Sequence, residues 1–345
     1  MQFIFANGNH GNAPVVMAVG ISQLIASQNA AATGEDWQII VPEIYGREGK
    51  ILAEEQLLDR RVVIDRELGR LLKQLFYTGG DFNDQMDALI ANRASVEKAV
   101  REHLDKMYGK MGLEVNCGAY VTADCENYFV FPTTHTKLYQ RTLQTPELMQ
   151  RFDMSKLERL TEMMSEVDNR FEKIFIPEYN PYSFDKKQRT GEKEISTPPL
   201  ARHQPRNNDE IPKGLIYCML PGTGAEYDAI LRKAHGYREA GRPVAVQKWH
   251  TGPEFEGFLK LHPQVISNPN VERVISRAGW GTIWLCQVTG KELEHVPYSL
   301  DEPEVYFNAK TLNEVPMRDA TLNQLVKFNT LDGIAYVAKN IIKDM

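Results

Sequence analysis

One local pattern occurs twice in this chain and limits its fold more than any other feature. An apolar strand runs into a glycine-bearing turn and then into a helix with apolar periodicity. The first copy is residues 2–6 (QFIFA), the turn Asn7-Gly8-Asn9-His10-Gly11-Asn12-Ala13-Pro14, and residues 15–26. There Val15, Val16, Val19, Ile21, Leu24 and Ile25 recur at helical intervals. The second copy is residues 214–220 (GLIYCML), the turn Pro221-Gly222-Thr223-Gly224 and a helix over 225–235. Each copy is followed by another apolar strand, 37–42 (WQIIVP) in the first half and 243–247 (PVAVQ) in the second. Strands that alternate with helices make a parallel sheet covered on both faces. A length of 345 residues holds two such domains of about 150 residues each. The halves share architecture without a sequence repeat of fixed period. The expected class is α/β, with two Rossmann-like domains facing across a cleft.

Between these anchors the reading is coarser. Residues 1–185 form the expected first domain, with a helical insertion at about 49–110. Within it, 60–77 carries Val62, Val63, Leu68, Leu71, Leu72, Leu75 and Phe76 at three- and four-residue intervals. Strands are expected at 118–122, 128–132 (YFVFP) and 173–177 (KIFIP), the last strand of this half, and an amphipathic helix at 154–174. Residues 186–212 are rich in charge and proline and lack apolar periodicity, which reads as an interdomain connection. Residues 213–345 form the expected second domain, with strands at 265–266 and 271–276 and a terminal helical stretch over 320–345.

Composition narrows the function classes. A net charge of −6 speaks against a general nucleic-acid binder, which needs a basic face, while leaving room for a local basic pocket. Cys117, Cys125, Cys218 and Cys286 are scattered without metal-type pairing and read as buried thiols of a reducing compartment. No basic leader and no run of 18 apolar residues is visible, so a cytoplasmic protein is expected, with peripheral membrane contact left open.

The chemistry concentrates in residues 274–311. An apolar strand (Val274, Ile275) turns at Ser276-Arg277-Ala278-Gly279 into a helix that starts near Trp280. Gly279 and Gly281 let the backbone pass close to a ligand, and the first amides of that helix would face a phosphate. Arg277 adds a full positive charge beside them. An acidic loop (Asp301, Glu302, Glu304) then leads into another helix. Glu304 and Asn308, one turn apart on it, share a face that could take a pair of sugar hydroxyls. A diphosphate with a ribose attached is a nucleotide.

Arg277-Ala278-Gly279-Trp280-Gly281-Thr282 and Glu304-Val305-Tyr306-Phe307-Asn308-Ala309 resemble, in order and spacing, the donor-nucleotide site of GT-B glycosyltransferases. That superfamily pairs a glycine-rich strand-to-helix turn with a later Gln-Gln-x-x-Asn-Ala or Asp-Gln-x-x-Asn-Ala loop. Arg277 stands where many members have a phosphate-binding His, and Leu285 where many have a ribose-binding Glu. The resemblance covers about a tenth of the chain closely and the rest in layout. It implies a terminal helix crossing back to the first domain. It also implies a nucleotide-sugar bound in the second half by Gly222, Thr223, Gly224, Arg277, Gly279, Trp280, Gly281, Thr282, Glu304 and Asn308. An acceptor bound in the first half is implied as well.

His10 is similar in position to the base of inverting members, and a histidine titrates where it can take a proton from an attacking hydroxyl. Asn9, Gly11 and Asn12 flank it. They would orient substrate or merely suit a turn that needs left-handed residues. His135, Lys248 and His250 are weaker candidates, and Asp301 reads equally as a ligand or a helix cap. No two His or Cys have zinc-like spacing and no Asp-x-Asp follows a strand, so neither a metal nor another cofactor is expected. The implied activity is inverting, metal-independent sugar transfer. A nucleotide-sugar hydrolase, a 2-epimerase and a non-catalytic nucleotide-sugar-binding protein share the same pattern.

Overall fold

A computed structural model of the chain describes residues 2–8, 12–75, 82–178, 193–203, 210–221, 225–297 and 300–345. It divides into two units, Met1–Arg202 with Asp332–Met345, and His203–Leu331.

In the first unit the strands are β1 (Gln2–Asn7), β2 (Trp37–Pro42), β3 (Val62–Asp65), β4 (Leu113–Asn116), β5 (Glu126–Val130), β6 (Lys173–Pro177) and β7 (Glu194–Thr197). They form one sheet in the order β3-β2-β1-β4-β5-β6-β7, every pairing parallel. The helices are α1 (Asn12–Thr33), α2 (Glu48–Glu54), α3 (Arg66–Leu72), α4 (Phe82–Met107), α5 (His135–Leu143), α6 (Pro146–Met149) and α7 (Met154–Asp168). By length and composition α1 could cross a bilayer. Here it is the central core helix, with Val15, Val19, Ile21 and Ile25 buried.

The second unit holds β8 (Leu215–Met219), α8 (Ala225–Glu239), β9 (Val244–Gln247), β10 (Leu259–Leu261), β11 (Val271–Ser276), α9 (Trp280–Thr289), β12 (Glu292–His295), α10 (Pro303–Glu314) and α11 (Met317–Phe328). Its sheet runs β10-β9-β8-β11-β12, again all parallel. Apolar clusters line both faces, with Ile216, Val246 and Ile275 in one and Tyr217, Ala245 and Val274 in the other. Alternate residues of each strand therefore feed opposite layers, as a doubly covered sheet requires. The last helix, α12 (Gly333–Ile342), leaves this unit and packs on α1. Gly333 makes that possible, because a Cβ there would lie 2.4 Å from the Pro199 carbonyl oxygen.

Several expected elements differ. The helix over 60–77 is instead an edge strand and a short helix. Val62, Val63 and Ile64 are β-branched and stiff at χ1, so they pair with β2, and Asp65 then caps α3 by accepting from the Leu68 amide at 2.9 Å. The strand expected at 118–122 lies earlier, at Leu113–Asn116, and 117–122 is an irregular turn. KIFIP is not the last strand of its unit, because β7 lies inside the expected connection. The pair Val265–Ile266 sits in a short 3-10 turn and β10 takes the edge position. The terminal helical stretch is broken at Asn329, which ends α11 in the left-handed region (φ 54°) before Asp332 caps α12.

Candidate nucleotide-binding site

In both sheets the strand order reverses direction at one place, between β1 and β4 and between β8 and β11. Ligands of open α/β sheets collect outside the carboxyl ends of the strands at such a point. In the second unit that point is tightly built. Ser276, the last residue of β11, pairs in register with Met219, the last of β8. Its Oγ donates to the Met219 carbonyl at 3.3 Å and to Thr282 Oγ1 at 3.4 Å. Thr282 in turn donates to Met219 Sδ at 3.7 Å. Beside them Gln247 clamps the exit of β8. Its Oε1 accepts from the Leu220 amide (2.9 Å) and its Nε2 donates to the Leu220 carbonyl (3.1 Å). Neither Gln247 nor Ser276 announces itself by motif; a polar residue closing an apolar strand is the signal that marks both.

The bend that follows exposes a selected set of groups. Arg277, Gly279 and Gly281 are partly exposed, whereas Ala278, Trp280 and Thr282 are buried. Gly279 is the N-cap of α9 and has no side chain with which to cap it. The Thr282 and Ile283 amides both bond to its carbonyl at 3.1 Å. The amides of Trp280 and Gly281 come before any intrahelical acceptor, so they carry the positive end of the helix dipole. Gly279 has φ −89°, open to any residue. A Cβ there would meet only the Arg277 side chain, at 3.8–3.9 Å, an ordinary contact. Among the described residues nothing demands glycine at 279, yet its absent side chain keeps the face of the bend open. Trp280 contributes backbone alone, since its indole is 5% exposed and stacks on Trp284 at 5.5 Å.

Helix α10 holds the bend from the other side. Asn308 is fully buried; its Nδ2 donates to the Ala278 carbonyl at 2.8 Å, and its Oδ1 is sealed without a partner. It therefore positions the bend rather than presenting an amide to a sugar hydroxyl. Val305 and Ala309 pack on Ala278 beside it. Glu304 is partly exposed in the first turn of α10. Burial pushes its carboxyl up to about 7, Arg277 pulls it down and Glu302 adds to the rise. Leu285 packs in the core with Val265 and Val274 and offers no polar group. Arg277 Nη1 donates to both carboxylate oxygens of Glu302, at 2.7 and 2.9 Å.

The other expected site residues divide in two. Asn9, His10 and Gly11, with Gly222, Thr223 and Gly224, lie outside the described residues. Asn12 is exposed at the start of α1. At the end of β1, around Asn7, lies a network that sequence reading missed. Glu114 of β4 is fully buried, and it accepts from Asn7 Nδ2 (3.0 Å), Asn116 Nδ2 (2.9 Å) and the Ala123 amide (3.3 Å). Tyr120 donates its hydroxyl to Asn7 Oδ1 at 2.8 Å. Burial pushes the Glu114 carboxyl up to about 7 against those hydrogen bonds. The charged residue in the short strand LEVN was the available clue. His135 lies among the rings of Phe129, Phe131 and Tyr139, where burial lowers its imidazole to about 4. His250 packs on Phe255 and is lowered by burial and by Lys260.

No protein-family model and no curated protein matches the sequence. Solved structures do match the fold over nearly the whole chain. Arabidopsis thaliana UGT89C1, complexed with UDP-L-rhamnose, superposes with a TM-score of 0.59 at 12% identity, covering 99% of this chain and 98% of that one. Medicago truncatula UGT71G1, complexed with UDP-glucose, gives 0.55 at 13%, covering 99% and 98%. The calicheamicin glycosyltransferase CalG4 gives 0.55 at 12%, covering 99% and 97%. The fold is that of the GT-B glycosyltransferases.

Proposed function

We propose that this chain transfers a sugar from a nucleotide-sugar to an acceptor hydroxyl, with UDP-sugars the first donors to test. The observation that carries the reading is the bend at 277–282. It combines an uncapped helix start, a guanidinium, and a glycine that no described neighbour requires. Those groups suit a diphosphate, whose anionic oxygens take amide and guanidinium hydrogen bonds. The UDP-sugar complexes among the structures of like fold support the choice of nucleotide.

The reaction is a single displacement. The acceptor oxygen attacks the anomeric carbon as its proton passes to a base, for which His10 is the candidate. The bond from that carbon to the phosphate oxygen breaks, and the nucleoside diphosphate leaves with the electron pair. Arg277 and the amides of Trp280 and Gly281 stabilise the charge that grows on the leaving group, so the proposal needs neither metal nor further cofactor. A preorganised donor at such a position contributes about 3 kcal/mol. Gly222, Thr223 and Gly224 follow the clamped end of β8 and are assigned to the same diphosphate. The acceptor is assigned to the first unit. Glu304, in the first turn of α10, is assigned to a ribose or donor-sugar hydroxyl, from which a carboxylate can accept.

The test is turnover of UDP-, GDP- and dTDP-sugars with a panel of hydroxyl acceptors, followed by mass spectrometry, with and without chelator. The expected result is a glycosylated acceptor and free nucleoside diphosphate, unaffected by chelator. His10→Ala should keep nucleotide binding and lose turnover. Nucleotide release without acceptor would make the chain a hydrolase. A new sugar isomer would make it an epimerase, and binding without turnover under every acceptor a scaffold.

A further inference from the structure

Arg277 is occupied in the free protein. Both oxygens of Glu302 sit on one guanidinium nitrogen, and the two side chains stay 34% and 49% exposed. An exposed pair of this kind adds little to stability, so its place matters more than its strength. Glu302 is the N-cap residue of α10, yet its carboxylate makes no capping bond. The backbone around it is pinned, because Asn308 ties α10 to Ala278 and Val305 packs on the same residue. Glu302 is therefore held beside Arg277 while its side chain remains free to turn into solvent. A carboxylate offers a guanidinium the same kind of two-oxygen acceptor that a phosphate offers.

We propose that Glu302 is a built-in competitor for the anionic ligand of Arg277: the carboxylate holds the guanidinium until a nucleoside diphosphate displaces it. This inference rests on the nucleotide reading above and deepens it by naming the residue that sets affinity. The competitor leaves the binding of an uncharged nucleoside unchanged and weakens only the anionic part of the ligand. It also disfavours a singly charged carboxylate ligand, which gains nothing over Glu302, relative to a diphosphate with several anionic oxygens.

Calorimetric titration of UDP and of uridine into the full chain tests it, with Glu302→Gln, Arg277→Ala and the double variant. Glu302→Gln should tighten UDP about threefold to fivefold in low salt, leave uridine unchanged, and lose most of its gain at high salt. In the Arg277→Ala background the same substitution should change UDP affinity by less than twofold. A gain that persists there in full would reduce Glu302 to a nearby repelling charge, and the competitor would be refuted. UDP binding to the wild type with no change in Glu302→Gln would also refute the competitor, leaving the nucleotide reading in place. No binding of UDP, GDP or dTDP to any of the four proteins, each shown folded by circular dichroism, would overturn both.

Discussion

The two units place a glycine at the same kind of bend, and the two glycines answer to different needs. Gly8 follows β1. A Cβ there would lie 2.5 Å from the Cα of Val15 and 2.7 Å from its Cγ2, so α1 can approach β1 only because that atom is missing. Gly279 follows β11, where an added Cβ would make ordinary contacts with Arg277 alone. The surroundings differ in the same sense. Behind the first bend a buried carboxylate is spent on asparagines and backbone amides. At the second a partly exposed guanidinium is paired with an exposed carboxylate. A glycine the interior demands is evidence about packing. A glycine the interior does not demand, beside an exposed cation and unbonded amides, is evidence about a ligand.

The contrast can be broken most forcefully at Gly8. Gly8→Ala should cost about 3 kcal/mol or more, because the clash is with helix backbone rather than a movable side-chain end. Chemical denaturation measures it, and a loss below 1 kcal/mol would remove the packing argument. Next in size is the pH dependence contributed by Glu114. Its folded-state pKa of about 7 lies above the ordinary carboxylate value of 4.5. The folded state therefore binds the extra proton, and stability falls as pH rises from 4.5 to 7, then levels off. The size is on the order of 3 kcal/mol. Stability curves of the wild type and Glu114→Gln should diverge over that window; parallel curves would show that Glu114 titrates normally. The smallest effect on stability, and the sharpest on function, belongs to Gly279→Ala. It should change stability by less than about 1 kcal/mol while weakening UDP binding roughly fivefold to tenfold. Undiminished binding would return Gly279 to the class of ordinary turn residues.

What could be read in advance followed local physics. The two strand-then-helix successions, β1 to α1 and β8 to α8, and the start of a helix at Trp280, are written in residue order because strand periodicity and helical spacing act over a few residues. Val62-Val63-Ile64 misled, since a run of β-branched residues satisfies helical spacing and strand preference alike and only the free edge of β2 decides. The break at Asn329 depends on a single left-handed residue inside a periodic stretch. Within the site, the bend itself was legible. The burial of Asn308 against Ala278, the stacking of Trp280 on Trp284 and the pairing of Arg277 with Glu302 were not. The Asn308 and Glu302 contacts depend on which residue α10 and its cap bring across, 30 and 25 positions along the chain, and the Trp280–Trp284 stack, within α9, depends on how that helix is buried. The buried Glu114 cluster joins residues as far as 113 positions apart, which no local pattern encodes.

The central claim is that a nucleoside diphosphate rests on the bend between β11 and α9. Crystals grown with UDP test it most directly. The account predicts phosphate oxygens within hydrogen-bond distance of the Trp280 and Gly281 amides and of the Arg277 guanidinium, with Glu302 turned away from it. A diphosphate seated elsewhere, with Arg277 still on Glu302, would contradict the account.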